Sequence, residues 1–486
     1  MVTKHRERED KYTVPVNAVL PDLADLTGDG GRVATASYQL VNLYFDTADA
    51  RLQRAGLTLR RRSGGPDAGW QLKVPAGGAR TEVASRSTAR TPPRGLTDIL
   101  LGTTHGHPLG PVAELTTTRA VTRLYGADER LLLEVADDRV SSTTLGESAR
   151  LDSWREVEVE LGPGGGETLL AAVGRRLRDD GATPSPHRSK LARALGRDAQ
   201  GADDLRAGRA AETLADLLGD YIRAQCTEIV AGDLALRMGE PQVHRTRVAI
   251  RRLRSTLRVF AELLDPQPAQ RLEAELSWFA GLLGEVRDRE VLLERLLGQV
   301  AALPPELVLG PVAADLDATL TRERAQHLRL LAAELRGDRE LDLLEALARW
   351  QTEPPFLEGA GTPAKQVKTY VTAARSTMRR RLRRALVAGE DQEERLHRAR
   401  KAAKRARYAG ELATPGWSGA ASVVLEAKQL QTELGEHQDS AVAAAFLRRA
   451  GAAAGGRPGR NGFTYGLLLA QEWQRAAALR EALGVR

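Results

Sequence analysis

Charged side chains recur at every second position in three short stretches of the first 161 residues. The stretches are EREDK at 7–11, LTLRRR at 57–62 and REVEVEL at 155–161. Because successive side chains of an extended strand point to opposite faces, residues two apart share one face. Carboxylates are hard oxygen ligands for Mg²⁺ or Mn²⁺, whereas arginine and lysine neutralise phosphate oxygens. Acidic and basic strands in one domain therefore predict a site that binds phosphate and a divalent metal ion together.

The last of these stretches indicates which face is polar. Glu156, Glu158 and Glu160 share one face of the predicted strand, and Val157 and Val159 lie on the other. The valines must face a hydrophobic layer, so the glutamates line the opposite side. A sheet with one solvated face remains the alternative, since antiparallel sheets often expose one side to water. The further residues that share charged faces are Glu7, Glu9, Lys11, Arg60, Arg62, Lys73, Glu134 and Asp138.

The chain changes in character near residue 200. With 486 residues it is long enough for two or three domains. Alternating runs separated by glycine- and proline-containing turns fill the first part, which predicts an antiparallel sheet or barrel. Beyond residue 208 apolar residues recur three and four positions apart, which predicts an all-α domain. We therefore predict a first domain at 1–197, a linker at 198–208 and a helical domain at 209–486.

Composition excludes several classes of protein. The single cysteine, Cys226, rules out a disulfide scaffold and a cysteine-based zinc site. The chain has no apolar run of membrane-spanning length and no apolar N-terminal segment, so we expect a cytoplasmic protein without a membrane partner. The formal net charge of +7 favours polyanionic partners, bound where cations cluster locally.

The helical half contains an internal repeat. HRTRVAIRRLRS at 244–255 matches HRARKAAKRARY at 397–408, and LGEVRD at 283–288 matches LGEHQD at 434–439. On a helix, the charged residues of each copy fall on one face. The two basic stripes are His244, Arg247, Arg251 and Arg254, and His397, Arg400, Lys404 and Arg407. A further basic run at 365–386 adds Lys368, Arg375 and Arg379.

Each basic stripe has several possible meanings. A solvated or salt-bridged helix face is the usual explanation of a single stripe, but its duplication at matching positions argues for a ligand. Nucleic acid is a common partner of such stripes, although these helices lack interleaved aromatic residues and any recognisable base-reading motif. A metal site is disfavoured because each repeat offers one histidine without neighbouring ligands.

The N-terminal motifs resemble the CYTH domain of the triphosphate tunnel metalloenzymes. EREDK fits the family's ExExK signature, and NLYFDTADARLQRAGLTLRRR at 42–62 is similar to its arginine-strand region. Segments similar to the remaining family motifs, GWQLKVP, ARTEV at 79–83, TTTRAVTR, EVADDRV, EVEVEL and HRSKLARAL, follow in family order. The resemblance implies an eight-stranded antiparallel β-barrel whose polar bore holds a linear triphosphate.

The same resemblance implies roles for individual residues. It assigns Mg²⁺ or Mn²⁺ binding to Glu7, Glu9, Glu156, Glu158 and Asp138. It assigns triphosphate binding to Lys11, Arg60, Arg62, Lys73, Arg119, Arg123 and Lys190, and catalysis to Glu7, Glu9, Lys11 and Lys73. The roles of Glu160 and Glu82, and the choice between Asp137 and Asp138, stay open.

The helical half resembles the CHAD domain, the conserved-histidine α-helical domain. Both histidine-led motifs and both LGE-x-x-D segments match, over roughly residues 209–486. The resemblance implies two pseudo-repeated four-helix units around a basic cavity that binds inorganic polyphosphate. It assigns that binding to the two basic stripes together with Lys368, Arg375 and Arg379.

Together these expectations describe a metal-dependent inorganic triphosphatase joined to a polyphosphate-binding domain. We expect it in the cytoplasm, in association with polyphosphate granules. Two alternatives remain at this point. The protein could be a non-catalytic polyphosphate-binding or granule-targeting protein, or its barrel could act on an organic triphosphate such as thiamine triphosphate or, as in adenylate cyclases, ATP.

Overall fold

The protein is described by a computed structural model that divides into two compact units. The units are residues 1–208 and 209–486. The structure describes residues 3–76, 79–145, 149–196, 211–387, 389–456 and 460–484. The predicted linker at 198–208 lies outside the described residues.

The N-terminal unit is built around one antiparallel sheet. Within its described residues the sheet has ten strand segments. They are β1 (Thr3–Glu7), β2 (Glu9–Thr13), β3 (Arg32–Asp46), β4 (Thr58–Ser63), β5 (Gly69–Ala76), β6 (Ala79–Ser85), β7 (Gly110–Tyr125), β8 (Leu131–Thr144), β9 (Leu151–Leu161) and β10 (Thr183–Pro184). Four α-helices accompany them in the described part of this unit, α1 (Arg51–Arg54), α2 (Arg94–Thr104), α3 (Glu167–Asp179) and α4 (Lys190–Leu195).

The first two strand segments join the two ends of this sheet. The strand order is β1-β6-β5-β4-β3-β7-β8-β9-β2-β10, so β1 and β2 lie at opposite ends of the order. Arg8 alone separates them in the chain, which brings the two ends together. If β1 and β2 are counted as one bent strand and the two-residue β10 is left out, the sheet has eight strands in the described residues. The predicted antiparallel β domain is confirmed.

The hydrophobic layer of this unit lies on the outer face of the sheet. Val157 and Val159 of β9 are fully buried and belong to one cluster with Leu170 and Val173 of α3. Tyr12 of β2 joins the same cluster. The alternation of REVEVEL therefore places the valines against a helix and the glutamates on the inner face, as the sequence predicts.

The C-terminal unit is entirely helical in its described residues. Its nine α-helices are α5 (Leu214–Arg237), α6 (Val243–Val259), α7 (Pro266–Ala301), α8 (Val312–Glu334), α9 (Asp338–Thr352), α10 (Val367–Ala385), α11 (Gln392–Ala413), α12 (Ala420–Gly455) and α13 (Phe463–Ala482). The histidine-led motifs fall on α6 and α11, and the LGE motifs on the two 36-residue helices α7 and α12. Two four-helix units, α5–α8 and α10–α13, correspond to the predicted repeat. The motifs did not indicate α9, which packs against α5.

Small residues allow the two basic helices to approach each other. Ala403 and Ala406 of α11 are fully buried, and they share one core cluster with Ile250 and Leu253 of α6. The distance between packed helices depends on side-chain size at the contact, so alanine permits a close approach. The basic stripes of the two repeats are thereby brought near each other. No described helix has the length and hydropathy that a membrane crossing requires.

Two glycines of the helical unit give opposite expectations for the same substitution. A Cβ at Gly232 would lie 2.1 Å from Oγ1 of the buried Thr246, whereas a Cβ at Gly281 would meet no atom within 4 Å. Gly232→Ala should therefore destabilise the unit by about 1–3 kcal/mol through overpacking. Gly281→Ala should stabilise it by about 0.5–1 kcal/mol, because alanine has the higher helix propensity. Thermal unfolding of the whole chain measures both, and shifts of the same sign would contradict this packing.

Candidate functional site

The carboxylate of Glu158 is the centre of a charged network on the inner face of the sheet. Lys11 Nζ of β2 donates to its Oε1 over 2.6 Å, and Arg119 Nη2 of β7 donates to its Oε2 over 2.8 Å. Lys190 Nζ of α4 lies 2.7 Å from Oε1. The Glu158 side chain is only 14% exposed. One carboxylate thus holds cations from three separate elements.

Two further carboxylates belong to this network. Asp138 of β8 is fully buried and accepts two hydrogen bonds from Arg119, of 2.7 and 2.6 Å, while Lys190 Nζ lies 3.0 Å from it. Glu156 lies 2.7 Å from Lys190 Nζ, and its other oxygen accepts a 2.6 Å hydrogen bond from the indole of Trp154. Every carboxylate of the network therefore has both a cation and a defined position.

Charges of opposite sign keep this network ionised. Burial alone would raise the pKa of the Glu158 carboxyl, but Lys11, Lys190 and Arg119 outweigh it and hold that pKa well below its usual range. Burial likewise opposes the charge of Lys190, yet the nearby carboxylates raise its pKa. The site consequently presents fixed charges of both signs at neutral pH.

Strand register and a short helix position these groups. Lys11 pairs directly with Glu158, and Arg119 pairs directly with Asp138, so these two ion pairs join cross-strand neighbours. The α4 helix begins after Ser189, whose side chain accepts a 3.1 Å hydrogen bond from Ala192 N. That cap fixes the first turn of α4, in which Lys190 lies.

Glu9 lies on the same face and binds Arg80, a cation to which the sequence motifs assigned no role. Its Oε1 lies 3.4 Å from Lys11 Nζ and accepts a 3.1 Å hydrogen bond from Arg80 of β6. Arg80 and Glu82 are two residues apart in ARTEV, so the same alternation could have identified Arg80. The backbone of Glu7 pairs with Arg80, but the Glu7 side chain lies outside the described part of the structure.

The paired arginines of β4 lie on the same inner face with neutral and acidic partners. Arg60 Nε donates to Gln71 over 2.6 Å, and Arg62 Nε donates to Asn42 over 2.9 Å. Arg62 also pairs with Asp67. Burial and the neighbouring Arg60 lower the pKa of Arg62 to about 10. These partners were not predicted from the sequence. Asn42 lies on a different strand, β3, and Asp67 lies in a turn, so neither follows from the alternation along β4.

The remaining predicted phosphate ligands also have carboxylate partners. Lys73 Nζ lies 3.7 Å from Glu82, and Arg123 Nε donates to Glu134 over 2.7 Å. The inner face is therefore an array of compensated charges. Excess positive charge does not build up at these two positions.

The carboxylates of this network are suitable ligands for a hard divalent cation, although lysine and arginine side chains lie between them in this structure. No described group of three or more His, Cys, Asp or Glu residues has the arrangement of a metal site. The carboxylates of Glu9, Asp138, Glu156 and Glu158 nevertheless belong to one connected network. Lys11 Nζ contacts both Glu9 and Glu158, which shows that the gap between these carboxylates accommodates positive charge. Oxygen ligands of this type suit Mg²⁺ or Mn²⁺.

In the helical unit, four cations from the two repeats form a cluster. They are Arg247 and Arg251 of α6 and Arg400 and Lys404 of α11, which we call the central cation cluster. Arg247 lies 2.9 Å from Asp288 and Arg400 lies 3.9 Å from Asp439, the aspartates of the two LGE motifs. A Cβ at Gly284 or Gly435 would lie 3.5 Å from the corresponding arginine. The sequence repeat is thus a repeat of contacts.

Positive charge in this cluster is incompletely compensated. Within the part of the chain that the structure describes, neither Arg251 nor Lys404 pairs with a carboxylate, and the buried Nε atoms of Arg251 and Arg400 have no hydrogen-bond partner. Burial, followed by Arg400, Arg251 and Arg247, lowers the pKa of Lys404 to about 7, and Asp439 only partly opposes this. Such a cluster favours a negatively charged ligand.

The other predicted polyphosphate ligands lie in different surroundings. Four of them form ion pairs with glutamates. Arg254 pairs with Glu273, Arg407 with Glu411, and both Arg375 and Arg379 with Glu426. His244 and Lys368 are exposed and His397 is partly exposed. Burial lowers the pKa of each histidine, with Arg287 beside His244 and Lys401 beside His397 adding to the effect. Only part of each predicted stripe therefore lies in the central cation cluster.

Comparison with known proteins identifies both units. A family model described as the CYTH domain matches residues 5–194, and one described as the CHAD domain matches residues 220–448. The Uncharacterized protein Rv2226 of Mycobacterium tuberculosis is 35% identical over 501 residues, covering 99% of this chain and 95% of that protein. The chain belongs to the CYTH–CHAD family. The resemblance of both halves is confirmed, while the roles of individual residues stay predictions.

Solved structures similar to this CYTH–CHAD protein have lower identity. PptA from Streptomyces chartreusis is 25% identical with a TM-score of 0.48, over 56% of this chain and 98% of that chain. The CHAD domain from the plant Ricinus communis is 24% identical with a TM-score of 0.45, over 57% of this chain and 94% of that chain. CYTH domains are triphosphate tunnel metalloenzymes, so the N-terminal unit belongs to a metal-dependent class.

Lys404 should make the stability of the CHAD domain depend on pH. Its pKa is about 7 in the folded protein, against 10.5 for an unperturbed lysine. Between these two values the unfolded chain binds more protons, so the free energy of unfolding should rise as the pH increases from about 7 to about 10. Below the lower value Lys404 is charged in both states and no longer contributes a slope. Urea denaturation across this range measures the effect.

The matched variants are Lys404→Met and Lys401→Met, on the same helix. Lys401 is exposed, so its substitution should leave the pH slope unchanged. Lys404→Met should flatten the slope and raise the stability near pH 7, because an incompletely compensated cation is removed. Identical slopes for the two variants would show that Lys404 does not titrate in this range.

Proposed function

We propose that the CYTH domain, residues 1–197, hydrolyses inorganic triphosphate in a metal-dependent reaction, and that the CHAD domain, residues 209–486, binds inorganic polyphosphate. The observation that carries the catalytic part is the network around Glu158, in which Lys11, Arg119 and Lys190 share buried carboxylates. A site with fixed charges of both signs suits a ligand that arrives as a polyanion together with a cation.

The cations of the inner face would bind the phosphate oxygens. Arg119 presents a guanidinium fork and Lys11 and Lys190 present ammonium groups, and both kinds of donor stabilise phosphate charge. Further phosphate oxygens would be bound by the other predicted cations of the inner face, Arg60, Arg62, Lys73 and Arg123. Because the strands and α4 already hold these groups, little reorganisation would accompany charge development in the transition state.

The carboxylates would hold the metal ion. Glu9 and Glu158 already share a cation, and Glu7, Glu156 and Asp138 would complete the set of oxygen ligands. When bound, Mg²⁺ or Mn²⁺ supplies charge neutralisation and polarises phosphoryl oxygens. Lys11 would move from its carboxylates to a phosphate oxygen as the ligand enters. The EREDK motif would then serve both metal binding, through its glutamates, and catalysis, through its lysine.

The central cation cluster supports the polyphosphate part of the proposal. Arg251 and Lys404 have positive charge without a carboxylate partner among the described residues, and a polymer of closely spaced phosphates supplies the missing negative charge. No bases need to be read, so a cationic surface is sufficient. We also propose that the protein is cytoplasmic and associates with polyphosphate granules through this domain.

Hydrolysis by the CYTH domain should depend on Glu9. Glu9→Gln removes a charged metal ligand and should lower phosphate release from tripolyphosphate, in Mg²⁺ or Mn²⁺, by about a hundredfold or more. The matched control is Asp10→Asn, on the adjacent position of the same strand. Asp10 forms its ion pair with Arg8 outside the inner face, so its substitution should leave the rate unchanged.

A substrate panel completes this experiment. Tripolyphosphate, ATP, thiamine triphosphate and long-chain polyphosphate are compared with the same enzyme. Faster turnover of thiamine triphosphate or ATP than of tripolyphosphate would replace the proposed substrate with an organic triphosphate. Equal, background release by the wild type and Glu9→Gln would instead indicate a binding protein without this activity.

Polyphosphate binding by the CHAD domain should depend on the central cation cluster. The double variant Arg251→Glu/Lys404→Glu reverses two charges and should lower retention of the whole protein on immobilised polyphosphate by at least tenfold. The double variant Arg322→Glu/Arg329→Glu also replaces two basic side chains by glutamate, at exposed positions of α8, and should be retained nearly as well as wild type. Equal losses for both would indicate a non-specific effect of net charge.

A further inference from the structure

An acidic residue in the β4–β5 turn folds back onto the paired arginines. Asp67 lies in the turn between Ser63 and Gly69, whose first two glycines have positive φ. A Cβ at Gly64 would lie 2.0 Å from the backbone oxygen of Gln39, so the turn is packed closely against β3. The backbone therefore places the Asp67 carboxylate at a defined position beside β4.

Asp67 is bound to the arginine pair through two routes. It forms an ion pair with Arg62, and its Oδ2 accepts a 3.1 Å hydrogen bond from Gln71 Nε2. The Oε1 atom of Gln71 in turn accepts the 2.6 Å hydrogen bond from Arg60. The charges of Arg62 and Arg60 also lower the pKa of the Asp67 carboxyl, against the opposing effect of burial. Asp67 is thus a fixed anion at both arginines.

Exposure shows on which side of the arginines this anion lies. The Arg62 side chain is 5% exposed and the Asp67 side chain is 45% exposed. The carboxylate therefore stands between the buried guanidinium and solvent. A phosphate group that binds Arg62 from inside would meet Asp67 at its outer end, and like charges at such short distance repel strongly.

We propose that Asp67 limits the length of the phosphate chain that the CYTH site accepts. This inference rests on the proposed function. The terminal phosphate of a triphosphate would bind on the inner side of Arg62, and a fourth phosphate would have to occupy the position of the Asp67 carboxylate. Asp67 is accordingly a specificity-determining residue, and it selects against longer linear phosphates by charge as well as by volume.

Asp67→Asn tests this proposal because it removes the charge and keeps the shape. Equilibrium binding of tripolyphosphate and tetrapolyphosphate is measured by calorimetry with the whole protein, and the hydrolysis of both is followed as phosphate release. The Arg251→Glu/Lys404→Glu background reduces the contribution of the CHAD domain to binding. In Asp67→Asn the affinity for tetrapolyphosphate relative to tripolyphosphate should rise by about tenfold or more. Asp10→Asn on the same background, and Asp67→Glu, should keep the wild-type ratio.

The ratio separates specificity from a structural role of the turn. A turn that merely loses stability would weaken both ligands equally and lower the melting temperature, which would overturn the proposal. An unchanged ratio in a stable Asp67→Asn variant would overturn it as well. If the wild type binds tripolyphosphate but hydrolyses none, the proposed activity fails while the length limit is still measured by binding. Absence of binding to either ligand would overturn both.

Discussion

Sharing of the Glu158 carboxylate among three cations is the interaction on which the inner face of the CYTH domain depends. Buried charges lose hydration, and a network of this kind is favourable only while every member has a partner. Removal of one partner from a buried ion pair typically costs about 3–5 kcal/mol. The register that pairs Lys11 with Glu158, and Asp138 with Arg119, is therefore as important as the residue types.

A polar interior requires the hydrophobic layer to lie elsewhere. In this unit Val157 and Val159 face α3, so the sheet contributes its apolar side to an outer core and its charged side to the site. The stability of the sheet and the chemistry of the site consequently come from alternate residues of the same strands. A shift of register by one residue would exchange the two faces and abolish both.

Alternation along the strands was sufficient to predict the charged inner face from sequence, and the repeat was sufficient to predict two related helical units. The partners of these residues were harder to predict. Asp67 lies in a turn, where the direction of a side chain follows from the backbone of several residues and not from a period. Arg375 and Glu426 are 51 positions apart and meet only through the packing of α10 on α12. The extra helix α9 has ordinary helical periodicity, and no motif indicates its place outside the repeat.

The two domains hold their positive charge in different ways, and this difference determines which ligands each could take. At the CYTH site nearly every cation has a carboxylate within contact distance, so an anionic ligand would have to displace internal partners. The carboxylates released in this way, Glu9 and Glu158 among them, would then be available to hold a divalent cation. Such exchange favours a short ligand with defined geometry. In the central cation cluster of the CHAD domain, Arg251 and Lys404 lack that compensation among the described residues, so a polyanion gains attraction without displacing a carboxylate from either cation. A long polymer of uniform charge suits the second arrangement and not the first.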